Sequence, residues 1–141
     1  MATYYVAKTG NDSNGGTSHG APKLTIANAI AATSNGDTVE IIDQGSYNEG
    51  NIEIYNSTIT ITHTASALGR PKIYGTGLGG TSDKRAFYVY GEFITYNGLE
   101  ISNYTDQVIK KGDADYNKFH MSGCFIHDVP SFGSHAFAGD A

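Results

Sequence analysis

The chain has 141 residues, enough for one domain with a substantial core, and nothing in its pattern marks a second. Its 18 glycines, 10 tyrosines and 3 prolines, with no tryptophan, fit short strands joined by tight turns and argue against long helices. A formal charge of −5 argues against the clustered basic surface of a nucleic-acid binder, and no apolar run reaches the roughly 18–20 residues that a membrane span needs.

The opening Met1-Ala2-Thr3-Tyr4-Tyr5-Val6 lacks the basic and apolar regions of a secretory signal. Thr3 to Ala7, β-branched or aromatic with weak alternation, predict a first strand or edge ribbon. Gly10 to Gly16 is a run of turn formers and predicts a loop, in which Asp12 and Asn14 either shape the turn or offer oxygens to calcium. Leu24 to Thr33 places Ile26, Ala29, Ile30 and Thr33 at i, i+3, i+4, i+7 spacing and predicts the chain's one helix. Thr25 or Ser18 would cap its start, and Asn35-Gly36 would stop it.

Strands follow. Thr38 to Ile42, Asn51 to Tyr55 and Thr58 to Thr62 alternate apolar with polar residues, so their isoleucines face inward and their Glu, Asn and Thr outward. Arg70 to Gly75 carries another short strand, Gly75 to Arg85 a projecting loop, and Ala86 to Tyr90 a further strand. Phe93 to Val129 then writes one unit twice. Ile94, Tyr96, Leu99 and Ile101 recur as Phe119, Met121, Cys124 and Ile126, all at an offset of 25 residues (94 to 119), and Gly98 falls on Gly123. Alternation around a glycine implies two strands meeting at a bend, and a period of this size implies coils stacked in parallel. The predicted fold is therefore all-β, a right-handed parallel β-helix (solenoid) with a short N-terminal capping α-helix. Residues 1–35 form the strand, loop and cap, and residues 36–141 the coils. Past Val129-Pro130 the pattern dissolves, so the last coil is expected to continue in a longer parent or to meet a partner. Cys124, the only cysteine, aligns with Leu99 and reads as a buried core thiol.

The order of motifs resembles the opening of right-handed parallel β-helix proteins of the pectate-lyase-like superfamily. The residues that carry the resemblance run from Tyr4 to Thr17, Ala21 to Ile26 with Ala29-Ile30, Gly36 to Val39, Gly45 to Glu49, Arg70 to Gly75 and Phe93 to Ile101. That superfamily includes calcium-dependent polysaccharide lyases, glycoside hydrolases and bacteriophage spikes that bind or cut glycans. The resemblance implies a scaffold more than an activity. The lyase chemistry it implies uses calcium to neutralise a uronate and a Lys or Arg base to take the C5 proton, and no such cluster is recognisable here.

Three constellations carry candidate chemistry. Asp113 and Asp115 at alternate positions, with Lys110 or Lys111 nearby, either bracket calcium beside a base or form a polar loop. His120 and His127 stack over Thr95 and Ser102 and face outward, with Asp128 adjacent; His127 with Asp128 and His135 is a candidate acid/base or metal site, although the spacing fits no established ligand pattern. Tyr88 and Tyr90, with Tyr55 and Tyr74, fall outside by alternation. Such rings serve as sugar platforms, as subunit contacts or as a structural ladder. The glycan-binding set is Tyr88, Tyr90, His120 and His127. The leading functional expectation is a structural or glycan-recognising component of a virus particle, virion-borne or extracellular. Its partners would be a polysaccharide, copies of itself as a trimer, or other virion proteins, with no nucleic acid and no membrane insertion. No cofactor is required on this reading, and calcium is the one candidate. The alternative is the N-terminal part of a calcium-dependent polysaccharide lyase.

Overall fold

The computed structural model describes residues 1–63, 69–112 and 118–133. The fold is mostly β with one short helix, and all its sheets are parallel. In chain order the elements are β1 (Thr3–Val6), α1 (Ile26–Ala32), β2 (Thr38–Ile41), β3 (Ser46–Asn48), β4 (Ile52–Ile54), β5 (Thr58–Thr62), β6 (Lys72–Tyr74), β7 (Arg85–Val89), β8 (Phe93–Asn97), β9 (Glu100–Ser102), β10 (Gln107–Lys111), β11 (Lys118–Ser122), β12 (Phe125–His127) and β13 (Ser131–Gly133). Three sheets result. The first has the order β1-β2-β5-β8-β11, the second β12-β9-β6-β3 and the third β13-β10-β7-β4. From β2 onward the chain visits the first, second and third sheets in strict rotation.

Rotation of this kind fixes which residues meet. Ile59 pairs with Ile94 and Ile94 with Phe119, while Ile73 pairs with Ile101 and Ile101 with Ile126. The repeat offset of 25 residues seen in the sequence is thus the pairing register of β8 with β11 (94 to 119) and of β9 with β12 (101 to 126). Elsewhere the offset ranges from 22 (85 to 107) to 35 (52 to 87), chiefly because the connections differ in length. Inward residues of all three sheets form one apolar cluster that includes Val39, Ile61, Ile73, Phe87, Ile94, Tyr96 and Ile101. Cys124 belongs to it, 6% exposed, and burial pushes its thiol pKa up.

Turns after the second sheet need a left-handed residue. Asn103 and Asp128, at equivalent levels, take φ of 60° and 55°, and the Asn103 amide donates to the Asp128 carbonyl at 3.1 Å. Short polar side chains tolerate this conformation better than other non-glycine residues do.

The helix lies where its spacing predicts. Thr25 is the N-cap, its hydroxyl accepting from the Asn28 amide at 3.2 Å, and Ile26, Ala29 and Ile30 point into the core. Two carboxylates hold its start in place. Glu49 accepts from the amides of Ile26 and Ala27, both at 2.9 Å, and Asp12 accepts from the Leu24 and Thr25 amides at 3.0 and 2.9 Å. The same bonds brace the loop from Gly10 to Gly16 against the helix start. Asp12 is committed to the helix start, and the Asn14 side-chain amide donates to the Pro22 carbonyl at 2.7 Å. Strand β3 is an addition to the sequence expectation, with Tyr47 buried at its centre. Among the described residues no helix is long and apolar enough to cross a membrane.

Alternation along β8 yields a direct test. Ile94 is fully buried between Ile59 and Phe119, whereas its neighbour Thr95 is partly exposed. Ile94→Ala is expected to lower unfolding free energy by about 2–5 kcal/mol and Thr95→Ala by at most about 0.5 kcal/mol, as read from urea unfolding curves.

Candidate functional site

Pairing of β4 with β7 builds an aromatic column on the outside of the third sheet. Ile52 and Ile54 pair with Phe87 and Val89, and all four are buried, so Glu53 lies beside Tyr88 and both face outward. One step further along, the Tyr90 amide donates to the Ile54 carbonyl at 2.8 Å, which brings the rings of Tyr55 and Tyr90 together. They stack with centroids 4.7 Å apart and planes 7° apart, the separation that neighbouring strands impose. Tyr88 stacks on Tyr90 at 4.8 Å and 28°, and the Arg85 guanidinium sits 5.4 Å from the Tyr88 ring centroid. Gly112 makes room for this arrangement. A Cβ there would lie 2.7 Å from the Tyr90 ring. The column is open to solvent, Tyr55 being 65% and Tyr90 39% exposed. The Tyr55 hydroxyl donates to Glu53, and the adjacent carboxylate pushes the phenol pKa up to about 12.

A groove of about 390 Å³ runs between α1 and the β4 strand, with Ala27, Ala31, Asn51, Glu53, Tyr55 and Asn56 in its walls. The Asn56 side-chain amide donates to the carbonyl and hydroxyl of Thr33 at 3.0 and 2.6 Å, tying the end of the helix to the strand side of the groove. Asn51 takes φ of 48°, and its side-chain oxygen accepts from Arg85 at 3.3 Å. Apolar walls with a few convergent polar groups suit an uncharged, hydroxyl-rich ligand.

A second cluster lies on the second sheet. His127 donates through Nε2 to Glu100 at 2.8 Å and through Nδ1 to Asp128 at 2.7 Å, with the Phe125 ring stacked on its own at 4.6 Å. Both ring nitrogens face carboxylate oxygens, so the doubly protonated imidazolium is the form that satisfies both contacts. The hydrogen bonds to Glu100 and then Asp128 raise the His127 pKa. Asp128 also lines a separate cleft of about 340 Å³ with Thr76, Asp83 and Asn103.

Comparison with known proteins bears on the fold. No family model and no curated protein matches the chain. Two crystal structures of the GH136 lacto-N-biosidase from Eubacterium ramulus are similar to it. The native protein has a TM-score of 0.67 and 20% identity over 91% of this chain and 27% of that one. The selenomethionine derivative gives 0.65 and 20% over 98% and 29%. The chain therefore spans 27–29% of the length of those structures, and the likeness is one of fold. The resemblance to pectate-lyase-like and phage-spike proteins is corrected accordingly: the matching solved chains are of a glycoside hydrolase, and this protein's architecture is three parallel sheets of short strands. The motifs behind that resemblance explain the misassignment. Val39, Ile73 and Ile101 are core residues and Gly98 takes φ of 71°, so they specify parallel strands and bends rather than a family.

The structure separates the residues that the sequence grouped. Tyr88, Tyr90, Lys110 and Lys111 share the third sheet, where Lys110 pairs beside Tyr88. His120 is exposed on the first sheet in register with Thr95, and His127 is on the second in register with Ser102. Asp113, Asp115 and His135 lie outside the described residues, and among the described residues no group of three or more His, Cys, Asp or Glu is arranged to hold a metal ion. Sequence reasoning missed Glu53, Asn51, Asn56 and Glu100. Alternation does place Tyr55 outside, and laying Glu53-Ile54-Tyr55 over Tyr88-Val89-Tyr90 would have revealed its partner.

The His127 geometry predicts a titration. In a ¹H–¹⁵N spectrum of the imidazole groups, the His127 midpoint should lie above the ordinary value of 6.5, and Glu100→Gln should lower it. Because the folded pKa is raised, any stability this cluster adds is present in full below the unfolded value and is lost as pH rises through the folded one. A midpoint at or below 6.5 contradicts the doubly bonded imidazolium.

Proposed function

We propose that the chain is a glycan-recognising β-solenoid that carries sugar on the Tyr55–Tyr90–Tyr88 column of its third sheet. The rotation of strands through three sheets supports the solenoid, since each circuit then rests on the one before and buries the same inward column. One observation carries the recognition: solvent-open tyrosine rings, stacked 4.7 and 4.8 Å apart, stand beside carboxylate, amide and cationic groups. Tyrosine faces cover the C–H surface of a pyranose while neighbouring polar groups bond its hydroxyls. The fold likeness to a lacto-N-biosidase is consistent with this reading.

Mutual stacking fixes the rings, so the platform loses little conformational entropy when a ligand arrives. Tyr88 stands between Glu53 and Lys110 on the neighbouring strands with Arg85 over its ring, and the Glu53 carboxylate reaches to the Tyr55 hydroxyl, so both signs of charge border the column. The reading includes neither a virus particle nor lyase chemistry, since the solved structures that share the fold are of a lacto-N-biosidase.

Screening the protein on a glycan array, followed by calorimetry on the best ligand, tests the proposal. Tyr90→Ala should weaken binding at least about tenfold, equivalent to about 1.4 kcal/mol. Phe93→Ala, an exposed aromatic on the first sheet, should leave it unchanged. Binding that is indifferent to Tyr90, or no binding to any glycan, overturns the reading.

A further inference from the structure

We infer that the groove between α1 and β4 is a subsite for an uncharged pyranose, stacked on the face of Tyr55 turned away from Tyr90, and that it discriminates against uronates. The inference rests on the glycan reading above and adds to it a place and a ligand class. Tyr90 covers one face of Tyr55 at 4.7 Å, yet Tyr55 remains 65% exposed and forms part of the groove wall. At about 390 Å³ the groove is within the ordinary range for small-ligand sites.

Its chemistry is one-sided. Among the described residues Glu53 is the only charged one in the walls, and one of its carboxylate oxygens accepts from the Tyr55 hydroxyl. A sugar hydroxyl can donate to the remaining oxygen, whereas a uronate carboxylate would meet like charge, the nearby Arg85 being engaged with Asn51 and the Tyr88 ring. The Asn56 amide nitrogen is held by Thr33, which orients that carboxamide with its oxygen left for a sugar hydroxyl. Ala27 and Ala31 of the helix supply the apolar side opposite. Arg85 lies over the Tyr88 ring and reaches the groove only through its bond to the Asn51 side-chain oxygen at 3.3 Å, and Lys110 pairs beside Tyr88, so an acidic saccharide would be drawn to that side of Asn51 instead of into the groove.

Titrating the ¹⁵N-labelled protein with lactose and, separately, with digalacturonate tests the assignment. Lactose is expected to shift the amides of Ala31, Tyr55 and Asn56 and to bind at least tenfold more tightly than digalacturonate. Glu53→Gln should narrow that ratio to threefold or less by strengthening digalacturonate, and Tyr55→Leu should abolish the lactose shifts while the rest of its spectrum stays that of the folded protein. Equal affinity for the two sugars, lactose shifts confined to Tyr88 and Lys110, or no lactose shifts at all would each overturn the subsite. In those cases the glycan reading survives if array ligands still bind in a Tyr90-dependent way, and it falls with the subsite if they do not.

Discussion

Each hydrogen-bonded ladder in this protein holds a residue about 4.8 Å from its counterpart one circuit earlier, so whatever side chain is written at one level meets the side chain written at the next. Inside, that constraint turns Ile59, Ile94 and Phe119, or Ile73 and Ile101, into continuous buried columns, the second extended by the partly buried Ile126. Parallel strands of three to five residues would be poor structures alone. They persist because inward side chains of the inner strands are packed by the strands on either side and join one apolar cluster with the other two sheets.

The same spacing acts on the outer faces, where it has chemical rather than structural consequences. Aromatic rings on successive strands are delivered at the distance at which rings stack, so Tyr55 and Tyr90 become a rigid pair without any dedicated loop. Gly112 at the next level is equally necessary, since any larger residue would press on the Tyr90 ring. His127 shows the complementary case. Glu100 from the preceding circuit and Asp128 from its own turn converge on one imidazole because the register puts them there. Function of the kind proposed is thus a matter of what is placed on the outside of a frame whose inside is fixed.

How much of this could be read from the sequence follows from the lengths of the circuits. Where two circuits are equal, as between β8–β9 and β11–β12, Ile94, Tyr96, Leu99 and Ile101 visibly repeat, and the pairing register is legible residue by residue. The helix was legible too, since Ile26, Ala29 and Ile30 keep helical spacing and Thr25 caps them. The Tyr55–Tyr90 pair was not, because the long connections between β5 and β6 and between β6 and β7 stretch that circuit to 35 residues (52 to 87) and hide the alignment. Nor was the family legible: Gly98 and the buried isoleucines report bends and strands, which unrelated activities share. The scatter of Tyr88, His120 and His127 over three sheets has the same origin, since alternation says that a residue faces outward but not from which sheet.

A crystal structure of the protein soaked with a neutral oligosaccharide tests most directly where a bound sugar lies. The account predicts a pyranose ring against Tyr55 with hydroxyls at Glu53 and Asn56, beside a Tyr55–Tyr90 stack still close to its 4.7 Å separation. A sugar bound on the first or second sheet with the tyrosine column bare, or tyrosine rings that stand apart, would contradict it.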